Sequence, residues 1–123
     1  MPLPSVKSLQ AIAADQTAKQ KAQDEADYAK FLAEATKAKP KLRRELQAKA
    51  EAKIIASPNS GDVDVWAFDP APKDDYQRTK AYTKVWREVL SEWAATQQRK
   101  GYTVTLRTFG MYTLIIKVTW PRK

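Results

Sequence analysis

The stretch GYTVTLRTFGMYTLIIKVTW, residues 101–120, leaves a folding chain few choices. Two runs of alternating apolar and polar residues, rich in Val, Ile, Thr and Tyr, flank one glycine, which is the pattern of a β-hairpin. With Phe109, Gly110 and Met111 as a three-residue loop, Thr108 stands opposite Tyr112. Counting outward puts Leu106 opposite Leu114, Val104 opposite Ile116 and Tyr102 opposite Val118 on one face. The other face holds Arg107 opposite Thr113, Thr105 opposite Ile115 and Thr103 opposite Lys117. A slip of one residue would mix the two sets, so the alternation fixes which residues share a face. Gly110 supplies the left-handed position that such a loop requires.

An apolar sheet face must be covered. The segment before the hairpin provides the cover: Tyr82, Val85, Trp86, Val89, Leu90 and Trp93 recur at helical spacing and form the clearest amphipathic stripe in the chain. Asp74 and Gln77 resemble a capping box at its start. The helix is expected to run to about Lys100, with Gly101 at the position that ends a helix with positive φ. Ahead of it, DVDVWAF (62–68) alternates and is β-branched, a third strand with Val63, Val65 and Ala67 on one side and Trp66 and Phe68 on the other. SPNSG (57–61) and DPAPKDD (69–75) are loops.

The first 57 residues have no glycine and are rich in Ala, Lys, Gln and Glu, a helical composition. Leu9, Ile12 and Ala13 make a weak apolar stripe, and Tyr28, Phe31, Leu32 and Ala35 a stronger one. Between them, ADQTAKQKAQDEA has only alanine to bury, so that part is expected to bridge solvent or to lie on a partner chain. Pro40 biases Lys39 out of the helical region and suits a first helical turn, so the helix breaks there. A second helix is expected from Pro40 to Ala56, with Leu42, Leu46, Ala50 and Ile54 inward and Ile55 a further candidate. The expectation is an α+β fold: a helical arm, residues 1–39, followed by a small β-α-β-β domain within residues 40–123, its three-stranded sheet packed on a helix.

Composition then excludes most chemistry. The chain has no Cys and no His, which removes disulfides, thiolate and imidazole catalysis, and zinc sites built on sulfur or nitrogen. Three glycines cannot make a glycine-rich phosphate loop. Asp62, Asp64 and Asp69 could offer oxygen ligands, but no further acid joins them at a defined spacing, and EAK (51–53) lies on a helix rather than on a strand beside them. No catalytic residues, metal or cofactor and no small-molecule substrate are therefore expected. The N-terminus lacks the apolar core of a secretory signal, and no run approaches the length of a membrane span, so a soluble chain without membrane partners is expected.

The net charge of +8 is unevenly placed. Residues 1–57 carry 11 basic and 7 acidic side chains, residues 58–92 carry 5 and 7, and residues 93–123 carry 6 and none. An acid-free end suggests contact with something acidic, either nucleic acid or a protein neighbour. The candidate contact residues are Arg99, Lys100, Thr103, Thr105, Arg107, Ile115, Lys117, Trp120, Arg122 and Lys123. The cations and hydroxyls suit phosphate, whereas Ile115 suits a protein. The face inferred from the hairpin has no aromatic for base stacking, which counts against single-strand binding. The tryptophans are expected in the core, except Trp120, which sits at the sheet end and could serve either purpose.

Between residues 45 and 120 the chain sets Ala52, Ile55, Ala56 and Gly61 ahead of Val63 and Val65, then Leu90 with Gly101, Tyr102 and Val104, and finally Leu114, Ile116 and Trp120. This layout resembles that of small structural proteins of tailed bacteriophages. Residues 1–44 lie outside it. It implies a non-enzymatic virion subunit, assembled in the host cytoplasm, with other virion proteins as partners and packaged DNA as a second acidic candidate. Two other classes are open to a chain of this charge: a nucleic-acid-binding protein that uses the basic hairpin, and a phage-encoded inhibitor of a host protein.

Overall fold

A computed structural model describes residues 3–71 and 74–121. The elements follow in the order α1 (Val6–Lys37), α2 (Lys39–Ala56), β1 (Asp62–Phe68), α3 (Tyr76–Arg99), β2 (Thr103–Phe109) and β3 (Thr113–Thr119). The fold is α+β, as the alternation of periods implies.

α1 starts where the Ser5 hydroxyl accepts from the Ser8 amide, and it is interrupted at Ala38, just before Pro40. This corrects the expectation for Lys39, which is the first residue of α2 rather than outside the helical region, and Ala38 itself keeps right-handed helical angles. Proline has no N–H to donate, so the helical ladder only loses a bond at that turn. The two helices nevertheless advance in the same direction along α3. Lys80 lies over the Tyr28 ring, Glu34 accepts from the Tyr82 hydroxyl at 2.8 Å, and Lys39 pairs with Glu88 at 3.1 Å. Arg43 then pairs with Glu92 at 2.7 Å, and Gln47 accepts from the Trp93 indole at 2.8 Å. α1 and α2 thus form one broken rod laid along α3.

α3 lies between α1 and the sheet, whereas α2 packs both on α3 and directly on β1. Tyr82 and Trp93 meet the rod, while Trp86 stacks on Phe68 of β1 with ring centroids 6.3 Å apart. A helix with neighbours on two sides buries more than one stripe, and here Ala81 and Thr83 are buried beside the expected six residues. Its start is capped by Asp75, whose carboxylate accepts from the Gln77 and Arg78 amides. The expected cap, Asp74, lies one residue outside and instead closes the preceding loop onto the Ala71 amide. At the other end the Tyr102 amide donates to the Gln97 carbonyl and the Gly101 amide to the Gln98 carbonyl, with Gly101 at φ +99°. That reciprocal pair is the Schellman closure that a glycine in this position permits.

The sheet order is β1-β3-β2, with both pairings antiparallel. β1 and β2 therefore run in the same direction with β3 between them. In the hairpin Phe109 pairs with Thr113, Arg107 with Ile115, Leu106 with Ile116, Thr105 with Lys117, Val104 with Val118 and Thr103 with Thr119. This corrects the expected register by two residues and moves the loop to Gly110, Met111 and Tyr112. Side chains alternate with period two, so a two-residue slide exchanges partners but leaves each face intact, and hydrophobic patterning cannot detect it.

A bulge between Trp66 and Phe68 is the second departure. The extra residue turns Phe68 onto the core side, opposite Leu114, whereas simple alternation places it beside Trp66. The core gathers Ala35, Leu42, Leu46, Ala50, Val65, Ala67, Val85, Trp86, Val89, Leu90, Leu114, Ile116 and Val118, so α1 contributes to it through its last turns. Ile54 packs against the core from α2, while Ile55 is exposed.

Candidate functional site

The outer face of the sheet is built in rows across β1, β3 and β2. Asp62, Thr119 and Thr103 form the first, Asp64, Lys117 and Thr105 the second, and Trp66, Ile115 and Arg107 the third. Thr113 and Phe109 complete it, with the Thr113 hydroxyl donating to Asp69 at 3.0 Å.

Five of the candidate residues, Thr103, Thr105, Arg107, Ile115 and Lys117, are brought together here. Trp120 is placed elsewhere. Its indole donates to the Pro58 carbonyl and its amide to the Gly61 carbonyl, both at 2.9 Å, and its ring meets Tyr102 edge-on. It latches the chain end onto the loop before β1. Arg99 and Lys100 sit exposed where α3 ends. Lys100 lines a cleft of about 610 Å³ between α2 and α3, whose Glu92 is already held by Arg43. Arg122 and Lys123 lie outside the described residues.

Two features of the outer face were not legible from the hairpin. The first is aromatic: Trp66 and Phe109 are 48% and 68% exposed, and their rings approach to 6.2 Å across β3. The expectation of a face without aromatics, and of Trp66 in the core, is therefore wrong. Phe109 shares the parity of Arg107 and Thr105, so a loop placed one residue later would have revealed it. The second is electrostatic. β1 brings Asp62 and Asp64 alongside the two cations, and Asp62 lies 3.9 Å from Lys117. The acid-free segment of sequence is not an acid-free surface, because a strand from the acidic middle of the chain is its neighbour in space.

Asp62 and Asp64 are not joined by a third ligand, and no group of three or more metal-binding side chains occurs among the described residues. No helix in that portion is long and apolar enough to cross a membrane.

The other unpartnered surface is the first half of α1. Every residue from Leu3 to Gln23 is exposed, including Val6, Leu9 and Ile12. At about 1.5 Å per residue, the helical residues 6–23 extend about 27 Å past the last residues that pack on α3. An isolated helix of this length is marginal in water, so its order depends on the docked half or on another surface.

Comparison with known proteins finds no family model, no curated protein and no solved structure similar to this chain.

Proposed function

We propose that this chain is a non-enzymatic assembly subunit of a tailed-bacteriophage particle, in which the α+β body anchors α1 and the free half of α1 lies on a neighbouring virion protein. The observation that carries this reading is the exposure of α1 from Val6 to Gln23, with Val6, Leu9 and Ile12 uncovered on a helix whose other half is fixed to the core. A body that rigidly holds a long, thinly apolar helix in solvent supports docking rather than catalysis. The outer sheet face, with Trp66, Ile115 and Phe109 beside paired charges of both signs, suits a second protein contact.

A second reading, binding of single-stranded nucleic acid, draws support from the exposed Trp66 and Phe109 next to Arg107, since bases stack on aromatic rings. Asp62 and Asp64 on the same face oppose it by repelling phosphate.

Particles carrying a chain deleted for residues 1–23 test the first reading by quantitative mass spectrometry. The intact chain is expected at a fixed ratio to the other particle proteins, and the deleted chain is expected to be missing. Absence of the intact chain from particles, or equal incorporation of the deleted one, overturns it.

A further inference from the structure

The cleft between α2 and α3 is built from one face of each helix. Gln47, Ala48 and Glu51 line it from α2, and Trp93, Thr96 and Gln97 from α3, each set at helical spacing. Bonds across it hold its shape: Arg43 donates to Glu92 at 2.7 Å, and the Trp93 indole donates to Gln47 Oε1 at 2.8 Å. The Gln47 amide in turn donates to Glu51 at 2.8 Å. The indole and both carboxylates of the cleft are thus already engaged.

Gln97 is not. It is 6% exposed, and its side-chain amide bonds to no protein group among the described residues. No side-chain nitrogen or oxygen among them is both sealed from solvent and without a partner, so this amide opens into the cleft that Gln97 lines. The Gln97 carbonyl, by contrast, is closed by the Lys100 and Tyr102 amides. Polar groups held this deep in a protein are normally bonded, and a glutamine amide calls for both a donor and an acceptor. Arg44 and Lys100, on opposite walls, pair with no carboxylate among the described residues. At about 610 Å³ the cleft has the size of a small-molecule site, with an apolar wall and a few polar groups.

We propose that this cleft binds a small organic anion of the mononucleotide class, with its base edge on the Gln97 amide and its phosphate on Arg44 and Lys100. The amide presents a donor and an acceptor side by side, and the N6 and N7 edge of adenine is their complement. Arginine and lysine both donate to phosphate. Trp93 and Ala48 supply apolar wall for the ring. Phosphate alone leaves the Gln97 amide unanswered, and a nucleoside alone leaves both cations so. A ligand that carries both groups satisfies all three side chains. The site takes no part in the contact proposed for α1.

Isothermal titration calorimetry of the full chain with adenosine 5′-monophosphate, adenosine and orthophosphate tests this, with circular dichroism to confirm folding. The mononucleotide is expected to bind at least about tenfold more tightly than either fragment. Arg44→Ala combined with Lys100→Ala is expected to lower its affinity to that of adenosine and to leave adenosine binding unchanged. Gln97→Leu removes the amide and is expected to weaken the mononucleotide about tenfold. Because Gln97 is buried, Ala48→Trp at an exposed position on the opposite wall keeps the test open: it fills the cleft and is expected to abolish binding. A mononucleotide that fails to bind at millimolar concentration overturns the proposal. So does orthophosphate binding as tightly as the mononucleotide, or mononucleotide binding that Ala48→Trp leaves unchanged.

Discussion

Glu92 shows how single side chains hold the broken rod to α3. Its carboxylate accepts from Arg43 at 2.7 Å and from Lys39 at 3.4 Å, and these bonds, Arg43 first, hold its pKa below the ordinary glutamate value of 4.5. Lys39 is pushed above its ordinary value, chiefly by its bond to Glu88. The signs give the pH window. A depressed carboxylate contributes its stability above the unfolded value and loses it as pH falls through the folded one, and a raised ammonium loses its contribution as pH rises through its own. Glu92→Gln is therefore expected to lower the melting temperature slightly at neutral pH and to leave it unchanged once the wild-type carboxylate is protonated. Melting curves from pH 7 down to pH 2 check this, and a difference that does not shrink as pH falls would assign the effect to packing. Glu92 and Arg43 are about half exposed and Lys39 less so, so water screens the pairs and the effect is small. Tyr82 behaves otherwise: burial first, then its bond to Glu34, raises its pKa, so it remains a neutral donor.

At the scale of the element, α1 is two structures in one helix. Its last turns place Ala35 at 0% exposure in the shared core, with Leu32 packed beside it, while its first half is exposed at every described residue. Deleting residues 1–23 is expected to leave the melting temperature within about a degree of wild type. Deleting residues 1–37 removes Ala35, Leu32 and the Glu34 acceptor, and is expected to destabilise the body by several kcal/mol, since truncating even one buried aliphatic costs about 2–5 kcal/mol. Differential scanning calorimetry of the two deletions distinguishes an arm from a structural helix. A large loss in the shorter deletion would show that the free half stabilises the body after all. The hairpin illustrates the same division of labour between local and distant forces. Its faces follow from alternation, but its register is set by the turn, where Gly110 takes φ +68° with open space about it.

At the scale of the molecule, charge along the chain and charge over the surface diverge. The basic C-terminal segment carries no acid in sequence, yet in the folded sheet Lys117 lies between Asp64 on β1 and Thr105 on β2. Fluorescence polarisation with a single-stranded oligonucleotide is expected to show weak binding that falls steeply with salt and is scarcely altered by Arg107→Ala combined with Lys117→Ala. Loss of binding in that variant would return the outer face to nucleic acid. What the sequence determined by itself is the set of elements, an interruption of the helix within two residues of Pro40, the stripe of α3 and the membership of each hairpin face, because each follows from periodicity or from the backbone limits of proline and glycine within a few residues. The tertiary structure alone decided that β1 lies beside β3, that its acids offset the cations of the same outer face, that the bulge turns Phe68 inward and leaves Trp66 out, and that α3 lies between α1 and the sheet. Those outcomes depend on which distant segments come into contact, and the energy of bringing them together is not written in any local stretch of the chain.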